Sequence, residues 1–126
     1  MLYGGESAPE HIITELGLYG ADRILWINKS NVSEYEYPVD ALTCMTAELL
    51  YKEKAAILIA GATANGRDLA ARLGARLNAA LAMNCESIHI TKGSRNTPIE
   101  CTRCINGGSR IVRMGLKPNS DSLSIL

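Results

Sequence analysis

The 126-residue chain has no phenylalanine and a single tryptophan, so whatever core it builds must be aliphatic, of Leu, Ile, Val and Ala. It has no apolar run near the roughly 18 residues that a transmembrane helix needs, which argues against membrane insertion. Neither a basic stretch leading into an apolar segment nor an Arg-rich amphipathic leader stands at the start, so no targeting peptide is expected and the cytoplasm is the expected location. An excess of one charge is also missing. Thirteen Lys and Arg offset thirteen Asp and Glu, which argues against nucleic acid as a partner. No carboxylate pair on a clear shared face, no Ser/His/Asp order and no nucleophile beside a base can be found, so no enzyme is expected. Cys101-x-x-Cys104 has the spacing of zinc ligands, but residues 99–105 read as a hairpin strand before the Asn106-Gly107-Gly108 turn. On a strand, positions three apart face opposite ways. Cys44 reads as mid-helix, Cys85 as at or just before a strand, and His11 and His89 are far apart, so no metal is predicted and the cysteines are expected as free thiols.

What is present fits one domain over residues 1–126: the length is ordinary for a domain, and 47% apolar residues suffice for one core. Ala55-Ala56-Ile57-Leu58-Ile59-Ala60 shows no polar alternation and reads as a parallel strand covered on both faces. Before it, Ser7 and Glu10 form a capping box for a short helix with Ile12, Ile13 and Leu16 inward, closed by Gly17 or Gly20. A strand over Arg23 to Ile27 and a loop over Asn28 to Tyr37 follow. Pro38 then opens a helix running through Leu42, Met45 and Leu49 to about Lys52. After the central unit, Ser87-Ile88-His89-Ile90 begins an antiparallel meander with turns near Gly93 and Gly107, ended by Lys117-Pro118-Asn119-Ser120. Leu123 to Leu126 reads as a strand cut off at its end.

The segment from Gly61 to Leu77 carries the most information. Gly61 and Gly66 have the spacing of a phosphate-binding P-loop, and Thr63 and Asn65 can offer side-chain donors. Arg67 and Asp68 break that pattern, because a P-loop needs Lys for the terminal phosphates and Ser or Thr for magnesium. Asn65 then reads as an N-cap with Asp68 three residues on, placing Asp68 in the first turn and four residues before Arg72 as a supporting ion pair. Ala70, Gly74 and the Leu69, Leu73, Leu77 stripe form a face that can lie close against a sheet.

Charge is uneven along the chain. Residues 1–66 hold four basic against nine acidic side chains and residues 67–126 the reverse, nine against four. Such a split reads either as solvated faces that pair with each other or as a docking surface built from Arg67, Arg72, Arg76, Arg103, Arg110 and Arg113.

Gly61 to Leu77, with Leu81-Ala82-Met83-Asn84-Cys85 after it, resembles the N-terminal domain of the electron transfer flavoprotein alpha subunit. There a strand precedes G-A-T-x-x-G-R-D-L-A-x-R-L-A-A-R-L and then G-L-x-x-D-C. Leu18 to Ile24 resembles the family's Y-G-A-D-K-V segment, and Thr102 to Gly108 its T-R-P-x-x-G-G hairpin. Ala71, Gly74, Asn84 and Cys104 stand where the family has Pro, Ala, Asp and Pro. The resemblance implies a three-layer α/β fold with a mostly parallel sheet, adenine nucleotide α-hydrolase-like, with the antiparallel meander at its C-terminal side. It implies a scaffold and docking part of a carrier that takes electrons from flavin dehydrogenases and passes them on through FAD, in a heterodimer with the electron transfer flavoprotein beta subunit. Most FAD contacts of the family lie in a second domain that nothing here resembles, so this chain alone is expected to bind none. The family also has a strand-helix unit before the strand at Met1. Without it the strands at Met1 and Arg23 would have to pair directly with the strand at Ala55, or another molecule would fill the gap, and the chain reads as a shortened domain. The other reading is a stand-alone module holding an adenine nucleotide such as AMP between the turn at Gly61, Thr63, Asn65, Gly66 and Arg67 and the end of the strand at Ile27.

Overall fold

A computed structural model describes residues 2–4, 7–28, 38–90, 99–116 and 124–125. The expected loop to Tyr37, the turn near Gly93 and the stretch from Lys117 to Ser120 lie outside these. The chain divides into two compact units, Met1–Leu42 and Thr43–Leu126.

In the first unit, strands β1 (Leu2–Gly4) and β2 (Trp26–Asn28) pair in parallel, Tyr3 opposite Ile27, with helix α1 (Glu10–Leu18) between them in sequence. The capping box at Ser7 does not form. Pro9 is the N-cap, in extended conformation and with no side-chain cap bond, and its carbonyl accepts from the Ile12 and Ile13 amides. Proline's fixed φ sets this start, while Glu10 in the first turn complements the helix dipole. The helix closes at Gly20 as expected, with the Ala21 amide bonded to the Leu16 carbonyl and the Gly20 amide to Gly17. Ile12 and Leu16 are half-buried, but Ile13 is exposed.

The second unit holds the central strand-turn-helix. Strand β3 (Ile57–Leu58) leads into α3 (Ala64–Leu77) and then β4 (Ala80–Leu81), after helix α2 (Val39–Lys52), which begins in the first unit. The sheet order is β3-β8-β4, where β8 is Ser124–Ile125 and pairs in parallel with both neighbours. The segment that reads as a severed strand is thus the middle of its sheet. Nor do the strands at Met1 and Arg23 pair with the strand at Ala55: β1 and β2 pair with each other, and the partner of β3 among the described residues is β8.

Because side chains alternate across a strand, each two-residue strand serves two layers. Leu58, Leu81 and Ile125 pack with Ala47 of α2 and with Ala70 and Leu73 of α3. Ile57 and Ala80 pack on the opposite side, against Ile99, Cys101 and Leu116 of the meander. The expected cover on both faces holds for Ile57 and Leu58, by helices on one side and an antiparallel sheet on the other, but the strand expected from Ala55 to Ala60 is only these two residues, and Ala56 and Ile59 are exposed. That meander runs β5 (Ser87–His89), β6 (Ile99–Ile105) and β7 (Arg110–Leu116) in the order β5-β6-β7. Its tight connection is the expected one: Asn106, Gly107 and Gly108 all take positive φ, which two glycines adopt without steric cost.

Candidate functional site

The turn between β3 and α3 is built around one close approach. A methyl group on Gly66 would overlap the Gly61 carbonyl oxygen and stand 3.1 Å from that carbonyl's carbon and 3.2 Å from Thr63 Oγ1. Only hydrogen fits there, so Gly66 is required by the chain's own packing. Gly61 is different, with nothing within 4 Å of where its Cβ would lie and an ordinary φ.

Thr63, not Asn65, caps the helix. Its backbone is extended (φ −73, ψ 168) and its Oγ1 accepts from the Gly66 amide at 3.1 Å, while the Arg67 amide donates to the Thr63 carbonyl at 3.0 Å. Asn65 therefore lies inside the first turn, and Asp68 falls beyond that turn, since α3 has no acidic residue there. The expected capping pair of Asn65 and Asp68 is thereby corrected, because the chain leaves Gly61 so tightly that the helix has begun by Ala64. The Asp68 ion pair does form, with Arg72 Nε donating to Oδ1 at 3.0 Å across the exposed face.

A cleft of about 140 Å³ opens beside this turn. Its walls are residues 59–62, then Gly66, Arg67 and Ala70 of α3, then residues 82–85 with Ile88. Arg67 is the single charged lining residue among the described residues, Asn84 holds a left-handed conformation (φ 56) in another part of the wall, and the remaining described lining is aliphatic or sulfur-bearing. Of the nucleotide candidates, the cleft gathers Gly61, Gly66 and Arg67. Thr63 is engaged as the cap and Asn65 is exposed.

The arginines of the docking reading do not gather on one face. Arg72 is held by Asp68, and Arg76 sits exposed in the last turn of α3. Arg103 and Arg113 occupy opposite faces of the hairpin, since Arg113 is in register with Thr102 while Arg103 opposes Val112. Arg110 is exposed at the start of β7. Arg103 is half-buried, and its Nε is enclosed with no hydrogen-bond partner among the described residues.

Sequence reasoning missed one cluster. Cys101 on β6 is fully buried, and Cys85, in the cleft wall, packs against the same cluster. Burial, first, and the neighbouring Cys101 thiol push the Cys85 thiol pKa up, with the Arg103 charge opposing them. Cys104 is held on the other face, its pKa raised chiefly by a hydrogen bond to Glu86. The opposite facing expected of Cys101 and Cys104 is thus seen. The spacing of Cys85 and Cys101 gives no hint that the two belong to one cluster.

A family model described as "Electron transfer flavoprotein domain" matches residues 1–119, nearly the whole chain. The chain belongs to the electron transfer flavoprotein family. It is 36% identical over 97 residues to "Protein FixB" of Clostridium saccharobutylicum, covering 77% of this chain and 28% of that protein. Against "Electron transfer flavoprotein subunit alpha" of Clostridium acetobutylicum it is 31% identical over 102 residues, 81% of this chain and 29% of the relative. Identity to "Acryloyl-CoA reductase electron transfer subunit beta" of Anaerotignum propionicum is 35% over 81 residues, 64% and 22% of the two chains. The chain thus spans less than a third of the length of these relatives. The resemblance seen in the Gly61 to Leu77 segment is borne out at the level of the family. Subunit names differ among the relatives, alpha in one and beta in another. The helices and parallel strands agree with the α/β class. Among the described residues no helix is long and apolar enough to cross a membrane.

Proposed function

We propose that this chain acts as the N-terminal, alpha-type scaffold and docking domain of an FAD-dependent electron carrier, joined to a beta subunit and serving flavin dehydrogenases in the cytoplasm. The observation that carries this reading is the family match over residues 1–119. The cleft supports the scaffold role: at about 140 Å³ it is smaller than the roughly 300–1,000 Å³ of ordinary ligand sites, and among the described residues Arg67 alone lends it charge. Free thiols at Cys44, Cys85, Cys101 and Cys104 accord with a reducing compartment. FAD then belongs to the complete complex, and this chain by itself is colourless.

The alternative, an AMP-holding module, is favoured by Gly61, whose missing side chain leaves room in the cleft that the fold does not itself need. One experiment separates them. The purified chain is mixed with FAD, with AMP and with an electron transfer flavoprotein beta subunit, and each binding is followed by titration calorimetry and by flavin absorbance near ~450 nm, a property of the oxidised cofactor. The docking reading expects heat with the subunit alone. Saturable AMP binding that Arg67→Ala abolishes, without subunit binding, selects the alternative, and stoichiometric flavin colour on the isolated chain overturns both.

A further inference from the structure

Asparagine is followed by glycine at Asn65-Gly66 and at Asn106-Gly107, and the fold treats the two pairs in opposite ways. Asn65 lies in the first turn of α3, where the Gly66 amide is engaged by Thr63 Oγ1 at 3.1 Å and Gly66 is pressed so close to the Gly61 carbonyl that no methyl group fits. Asn106-Gly107 stands exposed at the hairpin tip in left-handed backbone (φ 52 and 65), with open space where a side chain of Gly107 or Gly108 would lie. The Asn106 carbonyl accepts twice from Ser109, from its hydroxyl at 3.0 Å and from its amide at 3.3 Å. Backbone conformation alone does not set Asn106 apart, because Asn78 and Asn84 are left-handed too (φ 50 and 56). Each of those, however, is followed by a residue with a Cβ, and the Ala79 amide is tied to the Gly74 carbonyl at 3.0 Å.

We propose that Asn106 is a self-modifying site, whose side-chain amide is lost to ring closure by the Gly107 backbone nitrogen with Ser109 assisting. The nitrogen gives up its proton and attacks the Asn106 side-chain carbonyl carbon. A C–N bond forms there, the bond to the side-chain nitrogen breaks, and ammonia leaves with the proton, so that a five-membered imide remains. Water then opens the ring. Opening at the side-chain carbonyl restores the main chain and leaves aspartate, whereas opening at the main-chain carbonyl routes the chain through the side chain and leaves isoaspartate. One amide and one water thus give one carboxylate and one ammonium ion, with no change of oxidation state. The attack needs rotation about the Asn106 Cα–C bond and a nitrogen able to shed its proton. Gly107 and Gly108 absorb the rotation without steric cost, and the two donors on the Asn106 carbonyl oxygen stabilise the negative charge that the peptide group takes on as its nitrogen is deprotonated. In α3 the same rotation would break the cap bond to Thr63 and drive Gly66 into the Gly61 carbonyl, which protects Asn65. The product brings a new negative charge to the hairpin tip, and as isoaspartate it adds a methylene to a turn whose ends are fixed by the pairing of Ile105 with Arg110. This chemistry belongs to the turn itself and holds whether or not the chain serves an electron carrier.

The test holds the whole folded chain in warm neutral buffer for weeks and maps its peptides by mass spectrometry, with electron-transfer fragmentation to separate isoaspartate from aspartate. The expected result is conversion of Asn106 to a mixture of the two, faster as hydroxide rises, while Asn65 stays an amide over the same period. Ser109→Ala should slow the conversion of Asn106 several-fold in the folded chain and leave it unchanged in guanidinium. In guanidinium Asn65 should also catch up with Asn106, since the fold no longer tells the pairs apart. An intact Asn106, conversion of Asn65 at the same rate in the folded chain, or a folded Ser109→Ala variant as fast as wild type would overturn the proposal, and the wild-type map decides the site even if the variant fails to fold.

Discussion

At the front of α3, Gly66 lies so close to the Gly61 carbonyl that a methyl group would overlap it, whereas further along the same helix Gly74 faces Leu81 across ordinary van der Waals space, 3.5 Å from where its Cβ would sit. Both are less exposed than most of the helix, and both are glycines in a segment of strong helical pattern. The first is demanded by the turn that shapes the cleft. The second is a cost the helix bears without return, since glycine in a helix interior is worth about 1 kcal/mol less than alanine. The same chemical change at the two positions should therefore act with opposite signs.

The largest effect is expected for Gly66→Ala. The overlap is with backbone, which cannot swing aside as a flexible side chain can, so the loop from Gly61 or the helix start must shift at a cost of about 3 kcal/mol, the upper end for overpacking. Urea melts that place this variant within about 0.5 kcal/mol of wild type would mean that the turn relaxes freely. Thr63→Ala comes next, losing the cap bond to the Gly66 amide and about 1 kcal/mol, while Asn65→Ala should lose less because Asn65 is not the cap. If Asn65→Ala proves the costlier, the assignment of the cap is wrong. Gly74→Ala sharpens the contrast from the other side: a gain of about 0.4–1 kcal/mol, read as a higher melting temperature, with the cleft unaltered. The smallest change belongs to Asp68→Ala. Its ion pair with Arg72 is exposed on both sides, so a loss of about 0.3–0.5 kcal/mol is expected, fading in high salt, and a salt-independent loss would point to a different role for Asp68.

These expectations mark where sequence reading reached and where it stopped. The apolar run at Ile57 and Leu58, the amphipathic stripe through Leu73 and the hairpin at Gly107 were legible because each is a local pattern that burial or turn geometry reads directly. The turn was legible as a kind and not in detail. Thr63 and Asn65 are both good N-caps, and only the close approach at Gly61 decides between them. Gly61 and Gly66 look alike as letters, although one has open space around it and the other none. Ser7 lost its capping role because Pro9 is nearer and already extended. The place of Ser124 and Ile125 in the sheet could not be read at all, since strand order in a parallel sheet is set by tertiary pairing and two residues carry no periodicity.

That last strand bears on how the second unit acquires its structure in time. Ile57 and Ala80 both take Ser124 as their neighbour, so the sheet closes only over loops of roughly 40 to 70 residues, each carrying a chain-entropy cost before any pairing is gained. A ribosome would release β3, α3 and β4 well before β8. Until then Ala47, Ala70 and Leu73 lack Ile125, the fully enclosed side chain that completes their cluster. The nascent unit must wait with its middle open, and its helices and hairpin, which rest on local contacts, are the parts able to form first.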